Sequence, residues 1–195
     1  MSYQSALIKL NSKENTHIKK ASEIMLNGGV IAYPTEGVFG LGCIPLNSEA
    51  VHRILKIKKR NVSAGLIVIA SEFDQISDWV EIKKEGIERI LNESDIVTWV
   101  VNKTDKVPSW VSGNHNSIAI RITKHPIASA LCEASNSPLI STSANISGEE
   151  PPVDETELRD NFGNIVDYIV PGKCNLKKGS SMIKILENDE IIRPE

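Results

Sequence analysis

The sequence has few cysteines, and none of them is placed to pair or to bind a metal. Cys43, Cys132 and Cys174 are widely spaced and contain no C-x-x-C pair. An odd number of scattered cysteines predicts reduced thiols, as in a cytoplasmic protein. The four histidines stand at no metal-ligand spacing from the cysteines, so the sequence predicts no metal site.

Long apolar runs and a strong excess of positive charge are also missing. No stretch approaches the ~20 apolar residues that a membrane span requires. Residues 1–13 lack the basic start, apolar core and cleavage site of a signal peptide. We therefore expect a cytoplasmic protein without a membrane segment. The net charge of −3 excludes a polybasic nucleic-acid binder, although a local basic patch could still contact RNA.

The pattern of apolar residues indicates one α/β domain over residues 1–195. The sequence contains no repeat or long linker, and a chain of this length can bury a full core. Strands and helices do not alternate strictly, which predicts a twisted, mixed parallel and antiparallel open sheet flanked by helices. The predicted strands are 30–33, 65–70, 96–101, 118–122, 165–170, 182–186 and 190–193. Helices are predicted to begin near Asn11, Ser48, His125 and Asp154. The segment 71–92 is predicted to be helical in pieces, and 108–116 is predicted to be a loop.

A glycine-rich segment follows the first predicted strand. The strand, residues 30–33, should end before Pro34, which cannot donate a ladder hydrogen bond. Gly37, Gly40 and Gly42 then predict a loop that can approach a ligand or another segment closely. Open α/β sheets place their binding crevice at such strand-to-loop junctions. The alternative is a connector whose apolar residues belong to the core.

A basic triplet, Lys58 to Arg60, follows the second predicted helix. Cations at a helix C-terminus are favoured by about 0.3–1 kcal/mol, which is a sufficient structural explanation. The functional explanation is an anion clamp in which Lys58 and Arg60 hold one phosphate group. The residues alone leave both explanations open.

A dense set of hydroxyls and one amide follows the apolar pair Leu139 and Ile140. Such side chains serve turns and helix caps, or they donate to a phosphate, a ribose or an amino-acid head group. There is no G-x-S-x-G and no nucleophile-activating frame, so a serine hydrolase is disfavoured, as is a phosphate-ester hydrolase or lyase. The set comprises Ser141, Thr142, Ser143, Asn145 and Ser147.

Arg121 lies in the clearest alternating strand. Ile118, Ile120 and Ile122 share one face, and Ala119 and Arg121 share the other. An arginine there either points into a polar crevice or pairs with a buried carboxylate. We favour the crevice and a ligand role.

Together these segments resemble the YrdC/TsaC family of threonylcarbamoyl-adenylate synthases. The similarity covers nearly the whole chain, through Y-P-T-E-G-V-F-G-L-G at 33–42, K-K-R at 58–60, S-I-A-I-R-I-T-K-H-P at 117–126 and S-T-S-A-N-I-S-G at 141–148. It implies a YrdC-like fold and a nucleotidyltransferase that converts L-threonine, bicarbonate or CO₂, and ATP into threonylcarbamoyl-AMP and pyrophosphate. Partner proteins would then use the adenylate to modify tRNA, with weak direct tRNA binding at most.

The resemblance also implies roles for individual residues. The catalytic set would be Lys58, Arg60, Ser143 and Asn145. Threonine would contact Thr35, Arg121, Ser141 and Ser181, and ATP would contact Lys58, Arg60, Ser117, Ser143 and Arg193. Mg²⁺ is expected with ATP, although no carboxylate cage for it is recognisable.

The chain departs from the family pattern in several loops. Asn61 stands where the family usually has proline, Ala64 where a basic residue is common, and Glu93–Asp95 where W-P-G-P is common. These changes concern the shape of loops more than the charged clamp. The alternative function is an RNA-binding or regulatory module that uses the Lys58 and Arg60 patch without ATP chemistry.

Overall fold

The computed structural model of the protein describes residues 10–174 and 181–194. The α-helices are α1 (Ser12–Leu26), α2 (Ser48–Ile57), α3 (Lys84–Asn92), α4 (Ser109–Ser112), α5 (Pro126–Ala134) and α6 (Glu155–Phe162). The strands are β1 (Ile31–Pro34), β2 (Phe39–Gly42), β3 (Ile67–Ala70), β4 (Val97–Asn102), β5 (Ser117–Ile122), β6 (Leu139–Ile140), β7 (Thr142–Ser143), β8 (Tyr168–Ile169), β9 (Met182–Ile185) and β10 (Ile191–Arg193).

The strands form two mixed sheets. The smaller has the order β7-β2-β1-β8, and the larger has the order β10-β9-β4-β5-β3-β6. The pairs β1–β8, β3–β5 and β4–β9 are parallel, and the other pairs are antiparallel. The predicted mixed α/β class is therefore confirmed, with the strands divided between two sheets. Only Ser141 separates β6 from β7, so the chain crosses from one sheet to the other at this residue.

The beginning of α1 shows how local chemistry sets an element boundary. The Asn11 side chain accepts a hydrogen bond from the Glu14 amide at 2.9 Å, and the Glu14 carboxylate accepts one from the Asn11 amide at 2.7 Å. This reciprocal cap satisfies two backbone donors that the helix itself cannot pair. The helix start predicted at Asn11 is thus confirmed.

The central strand β5 is covered on both faces. Ile118 and Ile120 are buried in the main core beside Trp99 of β4. Arg121, on the opposite face, is also buried, with 7% of its surface exposed. The predicted alternation is confirmed, and Arg121 is buried although it lies on the polar face.

The loop predicted after the first strand is wrong in its second half. Residues 39–42 form β2, which pairs antiparallel with β1. Phe39 and Leu41 are buried, and Gly42 packs closely against a bulky side chain of β1: a Cβ added to Gly42 would lie 2.7 Å from Tyr33 Cε1. Glycine here allows close strand packing, so it does not mark a mobile loop.

Smaller differences follow the same logic of local context. The predicted loop 108–116 contains the short helix α4, and the predicted strand 165–170 is reduced to β8. The strand β1 extends one residue further than expected, because Pro34 still pairs with Phe39. None of the helices in the described part of the chain has both the length and the apolar composition needed to cross a membrane.

Candidate active site

A cavity of about 400 Å³ is lined by residues of both sheets. Strand β5 supplies one wall, the Ser141 crossing and β2 supply another, and β9 and β10 supply a third. It brings together most of the residues predicted to bind threonine and ATP. The predicted site residues on its lining are Thr35, Arg60, Ser117, Arg121, Ser141, Ser143, Ser181 and Arg193.

Three arginines, Arg60, Arg121 and Arg193, lie on the cavity lining. Burial lowers the pKa of Arg60 from its ordinary value. Burial also lowers the pKa of Arg193, and the positive charges of Arg121 and Arg60 lower it further. These cations are close enough to repel one another, and an anionic ligand would relieve that repulsion.

Lys58 does not line the cavity, although it belongs to the predicted catalytic set. Its ammonium Nζ donates to the Ser143 carbonyl at 2.6 Å, to the Asn145 carbonyl at 2.8 Å and to Asn145 Oδ1 at 3.0 Å. Burial lowers its pKa to about 8, and the charge of Arg60 adds to the effect. In this structure Lys58 therefore orders the segment that carries Ser143 and Asn145.

The rest of that segment is bonded to itself. Ser143 Oγ donates to Asn145 Oδ1 at 2.5 Å, and Asn145 Nδ2 donates to the Glu149 carbonyl at 2.5 Å. Lys58, Ser143 and Asn145 thus form one connected cluster, with Ser143 at its cavity side. The structure thus brings three of the four predicted catalytic residues together, and the fourth, Arg60, lines the cavity with Ser143. Their catalytic roles remain predictions.

Lys59 adopts a left-handed backbone conformation, and the turn that it forms directs Arg60 towards the cavity. Lys59 has φ +50°, while the amides of Lys59 and Arg60 close the end of α2 by donating to Lys56 and Leu55 at 3.1 and 2.9 Å. Many helices end with this pair of hydrogen bonds and a left-handed residue, but the left-handed residue is normally glycine. The turn brings Arg60 Nη2 to 2.8 Å from the Gly65 carbonyl.

Lys59→Gly should make the protein more stable by about 1 kcal/mol, because the left-handed conformation costs a residue with a Cβ about 1–2 kcal/mol. Urea denaturation measures the change in free energy of unfolding. Lys56→Gly is the matched control, since a glycine inside α2 should cost up to ~1 kcal/mol. Equal destabilisation by both substitutions would show that the Lys59 backbone carries no strain.

Arg121 is held by three protein side chains at the cavity wall. Its Nη2 lies 3.3 Å from Glu36 Oε2, and its Nη1 donates to Ser181 Oγ at 2.8 Å and to Thr98 Oγ1 at 3.4 Å. Both alternatives from the sequence are therefore present, because Arg121 pairs with a buried carboxylate and still lines the cavity. Its contact with threonine remains a prediction.

Glu36 is a functional candidate that sequence reasoning missed. It lies beside Thr35 in the P-T-E motif, but nothing local to the motif indicates its pairing with Arg121, 85 residues away. Burial raises the pKa of the Glu36 carboxyl, but the Arg121 charge and hydrogen bonds from Thr123 and Lys124 outweigh it. The net pKa is lowered.

Ser181 and Arg193 are joined to each other on the third wall. Arg193 Nε and Nη2 donate to the Ser181 carbonyl at 3.2 and 2.7 Å. The Ser181 hydroxyl also lies 2.8 Å from Thr98 Oγ1. Hydrogen bonds within the protein therefore fix the positions of Ser181 and Arg193, the two residues predicted to contact threonine and ATP.

Two of the loops that depart from the family pattern are held by hydrogen bonds of their own. Asn61 caps the short 3₁₀ turn Val62–Ala64 by accepting from the Ser63 amide at 2.9 Å. After α3, the Lys124 ammonium donates to the carbonyls of Glu93 and Ser94. The loops thus remain ordered by hydrogen bonds of their own.

Comparison with known proteins finds similar sequences over most of the chain. The family model Sua5_yciO_yrdC, described as "Telomere recombination", matches residues 23–194. The chain is 45% identical to a threonylcarbamoyl-AMP synthase of Hydrogenovibrio crunogenus over 69% of this chain and 75% of the relative. It is 42% identical to one of Coxiella burnetii over 90% of this chain and 96% of the relative.

A solved structure extends the likeness to three dimensions. The crystal structure of P. abyssi Sua5 complexed with L-threonine superposes with a TM-score of 0.85 at 29% identity. The match covers 92% of this chain and 54% of the P. abyssi chain, so this protein spans about half the length of that relative.

Proposed function

Since this chain belongs to the Sua5_yciO_yrdC family, we propose that it is a threonylcarbamoyl-AMP synthase, a nucleotidyltransferase of the tRNA-modification pathway. Its substrates are L-threonine, bicarbonate or CO₂, and ATP. The products are threonylcarbamoyl-AMP and pyrophosphate. The Coxiella burnetii relative that carries this name matches this chain over 96% of its own length.

The observation that carries the proposal is the meeting of Arg60, Arg121 and Arg193 at one cavity. The reaction brings together the carboxylate of threonine, bicarbonate and the triphosphate of ATP, which are all anionic groups. A site with fixed cations lowers the energy of bringing these groups together, and it stabilises the charge that develops on pyrophosphate.

The chemistry proceeds in two balanced steps. The threonine amine adds to bicarbonate and gives a carbamate with loss of water. A carbamate oxygen then attacks the α-phosphorus of ATP, the new P–O bond forms, and the bond to the β-phosphate oxygen breaks to release pyrophosphate. The carbamate decomposes in water, so enclosure of the cavity would protect it.

Each cavity residue has a role that fits its position. Arg121 would receive the carboxylate of threonine or of its carbamate, since a guanidinium binds carboxylates through two donors. Thr35 and Ser141 would shape the threonine end. Arg60 and Ser143 would face the triphosphate, with Lys58 holding the Ser143 segment in place.

Mg²⁺ is proposed as part of the nucleotide substrate. Within residues 10–174 and 181–194, no group of three or more histidine, cysteine or acidic side chains is placed to hold a metal ion. Mg²⁺ usually binds substrate phosphates with few protein ligands. Mg²⁺ would therefore enter the site with ATP, bound to its phosphate oxygens.

The alternative of an RNA-binding module on the Lys58 and Arg60 patch is not favoured. Lys58 is only 2% exposed, and its ammonium group donates hydrogen bonds to Ser143 and Asn145. Arg60 is directed to the cavity lining. The pair therefore forms no exposed basic surface for a phosphate backbone. Any tRNA contact would be weak and would decrease with salt.

Purified protein supplied with ATP, Mg²⁺, bicarbonate and L-threonine should release pyrophosphate. Omitting threonine, or removing bicarbonate with degassed buffer, should abolish the release, because the carbamate is then not formed. A coupled pyrophosphate assay measures the rate. Release that does not depend on threonine, or tight tRNA binding at physiological salt without ATP chemistry, would contradict the proposed function.

A further inference from the structure

The Glu36 carboxylate lies behind Arg121. Glu36 is 3% exposed and is not on the cavity lining. Its Oε1 accepts hydrogen bonds from Thr123 Oγ1 at 2.7 Å and from the Lys124 amide at 2.9 Å. Its Oε2 lies 3.3 Å from Arg121 Nη2. One oxygen is therefore fixed by the chain that follows β5, and the other faces the guanidinium.

The guanidinium is held at both ends but still has an unpaired donor. Ser181 and Thr98 accept from Nη1, and Glu36 lies beside Nη2. Across the described ranges of the chain, neither Arg121 Nε nor Glu36 Oε2 has a hydrogen-bond partner, although both atoms are buried. Glu36 Oε2 and Arg121 Nη2 are therefore joined as an ion pair, without a hydrogen bond to Oε2.

We propose that Glu36 is a positioning residue for threonine recognition, because it holds the Arg121 guanidinium in the orientation that receives the substrate carboxylate. Glu36 itself does not touch the substrate. The inference rests on the proposed function, since it assigns a further residue to the threonine end of the same cavity.

Replacement of Glu36 by glutamine tests this role at single atoms. The two donors on Oε1 require an oxygen, so the amide oxygen of glutamine must take that place. The amide NH₂ then faces Arg121 Nη2, where a donor meets a donor. The guanidinium must then move away from position 36, although the side chain there keeps nearly the same volume.

The expected result for Glu36→Gln is a KM for threonine about tenfold higher or more, with a KM for ATP within about twofold of the original. A purely structural role would reduce the amount of folded enzyme, and hence the apparent kcat, without changing either KM. Calorimetric titration with L-threonine provides the same comparison without turnover.

Thr123→Val provides a second variant at a distance from the ligand. It removes one of the two donors on Glu36 Oε1 and keeps the side-chain shape, and Thr123→Ser, which keeps the hydroxyl, is the matched control. We expect a smaller rise in the KM for threonine in Thr123→Val and none in Thr123→Ser. If Glu36→Gln does not fold, this pair decides the question.

The two possible failures are distinguishable. Pyrophosphate release by the unmodified enzyme that ignores threonine would reject the proposed function, and with it this role. Threonine-dependent release by the unmodified enzyme, together with an unchanged KM for threonine in both Glu36→Gln and Thr123→Val, would overturn the positioning role alone.

Discussion

Arg121→Ala should lower the free energy of unfolding by about 3–5 kcal/mol, because it leaves the Glu36 carboxylate buried without its cationic partner. Glu36 is 3% exposed and forms its ion pair with Arg121. Urea denaturation monitored by tryptophan fluorescence measures the loss. The same variant should also lose threonine-dependent pyrophosphate release.

Two comparisons separate the buried pair from surface electrostatics. The double variant Arg121→Ala with Glu36→Gln should recover part of the lost stability, since a neutral amide replaces the unpaired charge. Arg53→Ala removes a salt bridge to Asp167 whose side chains are 40% and 37% exposed, and it should cost no more than about 1 kcal/mol. A loss in Arg121→Ala as small as that in Arg53→Ala would contradict the buried-pair interpretation.

Lys58→Ala should both destabilise the protein and abolish most of its activity. The substitution removes the donor that serves the Ser143 carbonyl, the Asn145 carbonyl and Asn145 Oδ1. Hydrogen bonds to a charged group contribute about 1.5–3 kcal/mol each, so a loss of about 2–4 kcal/mol is expected after the loop relaxes. Denaturation and the pyrophosphate assay measure the two effects.

The control variants for Lys58 lie within the same few residues. Lys56→Ala, at an exposed position of α2, should change neither stability nor rate by much. Arg60→Ala should raise the KM for ATP with a smaller loss of stability, because Arg60 lines the cavity and donates to the Gly65 carbonyl. If Lys58→Ala behaved like Arg60→Ala, Lys58 would act on the nucleotide directly.

Local patterns were sufficient for those elements whose cause is local. The capping box at Asn11 and the alternation of Ile118 with Arg121 are short-range features, and the structure contains both. The residues of the cavity were predicted to lie together from the resemblance to a known family, because four motifs far apart in the chain occur in the same order as in that family.

Features that depend on distant partners were not accessible from the sequence. The segment that contains Gly40 and Gly42 forms a strand because it pairs with β1 on one side and β7 on the other, and β7 lies about 100 residues away in the chain. The amine of Lys58 turns towards Ser143 and Asn145, 85 and 87 residues away. Hydropathy cannot distinguish such an inward lysine from a solvated one.

The single residue that separates β6 from β7 has a consequence for protein engineering. Ser141 donates its amide to Ile67 of the larger sheet, and the next residue, Thr142, already pairs with Leu41 of the smaller one. An extra residue inserted here would turn Ser143 to the opposite face and displace it from both the cavity and Lys58. Tags, permuted termini and added segments therefore belong elsewhere in the chain, since this crossing has no spare length.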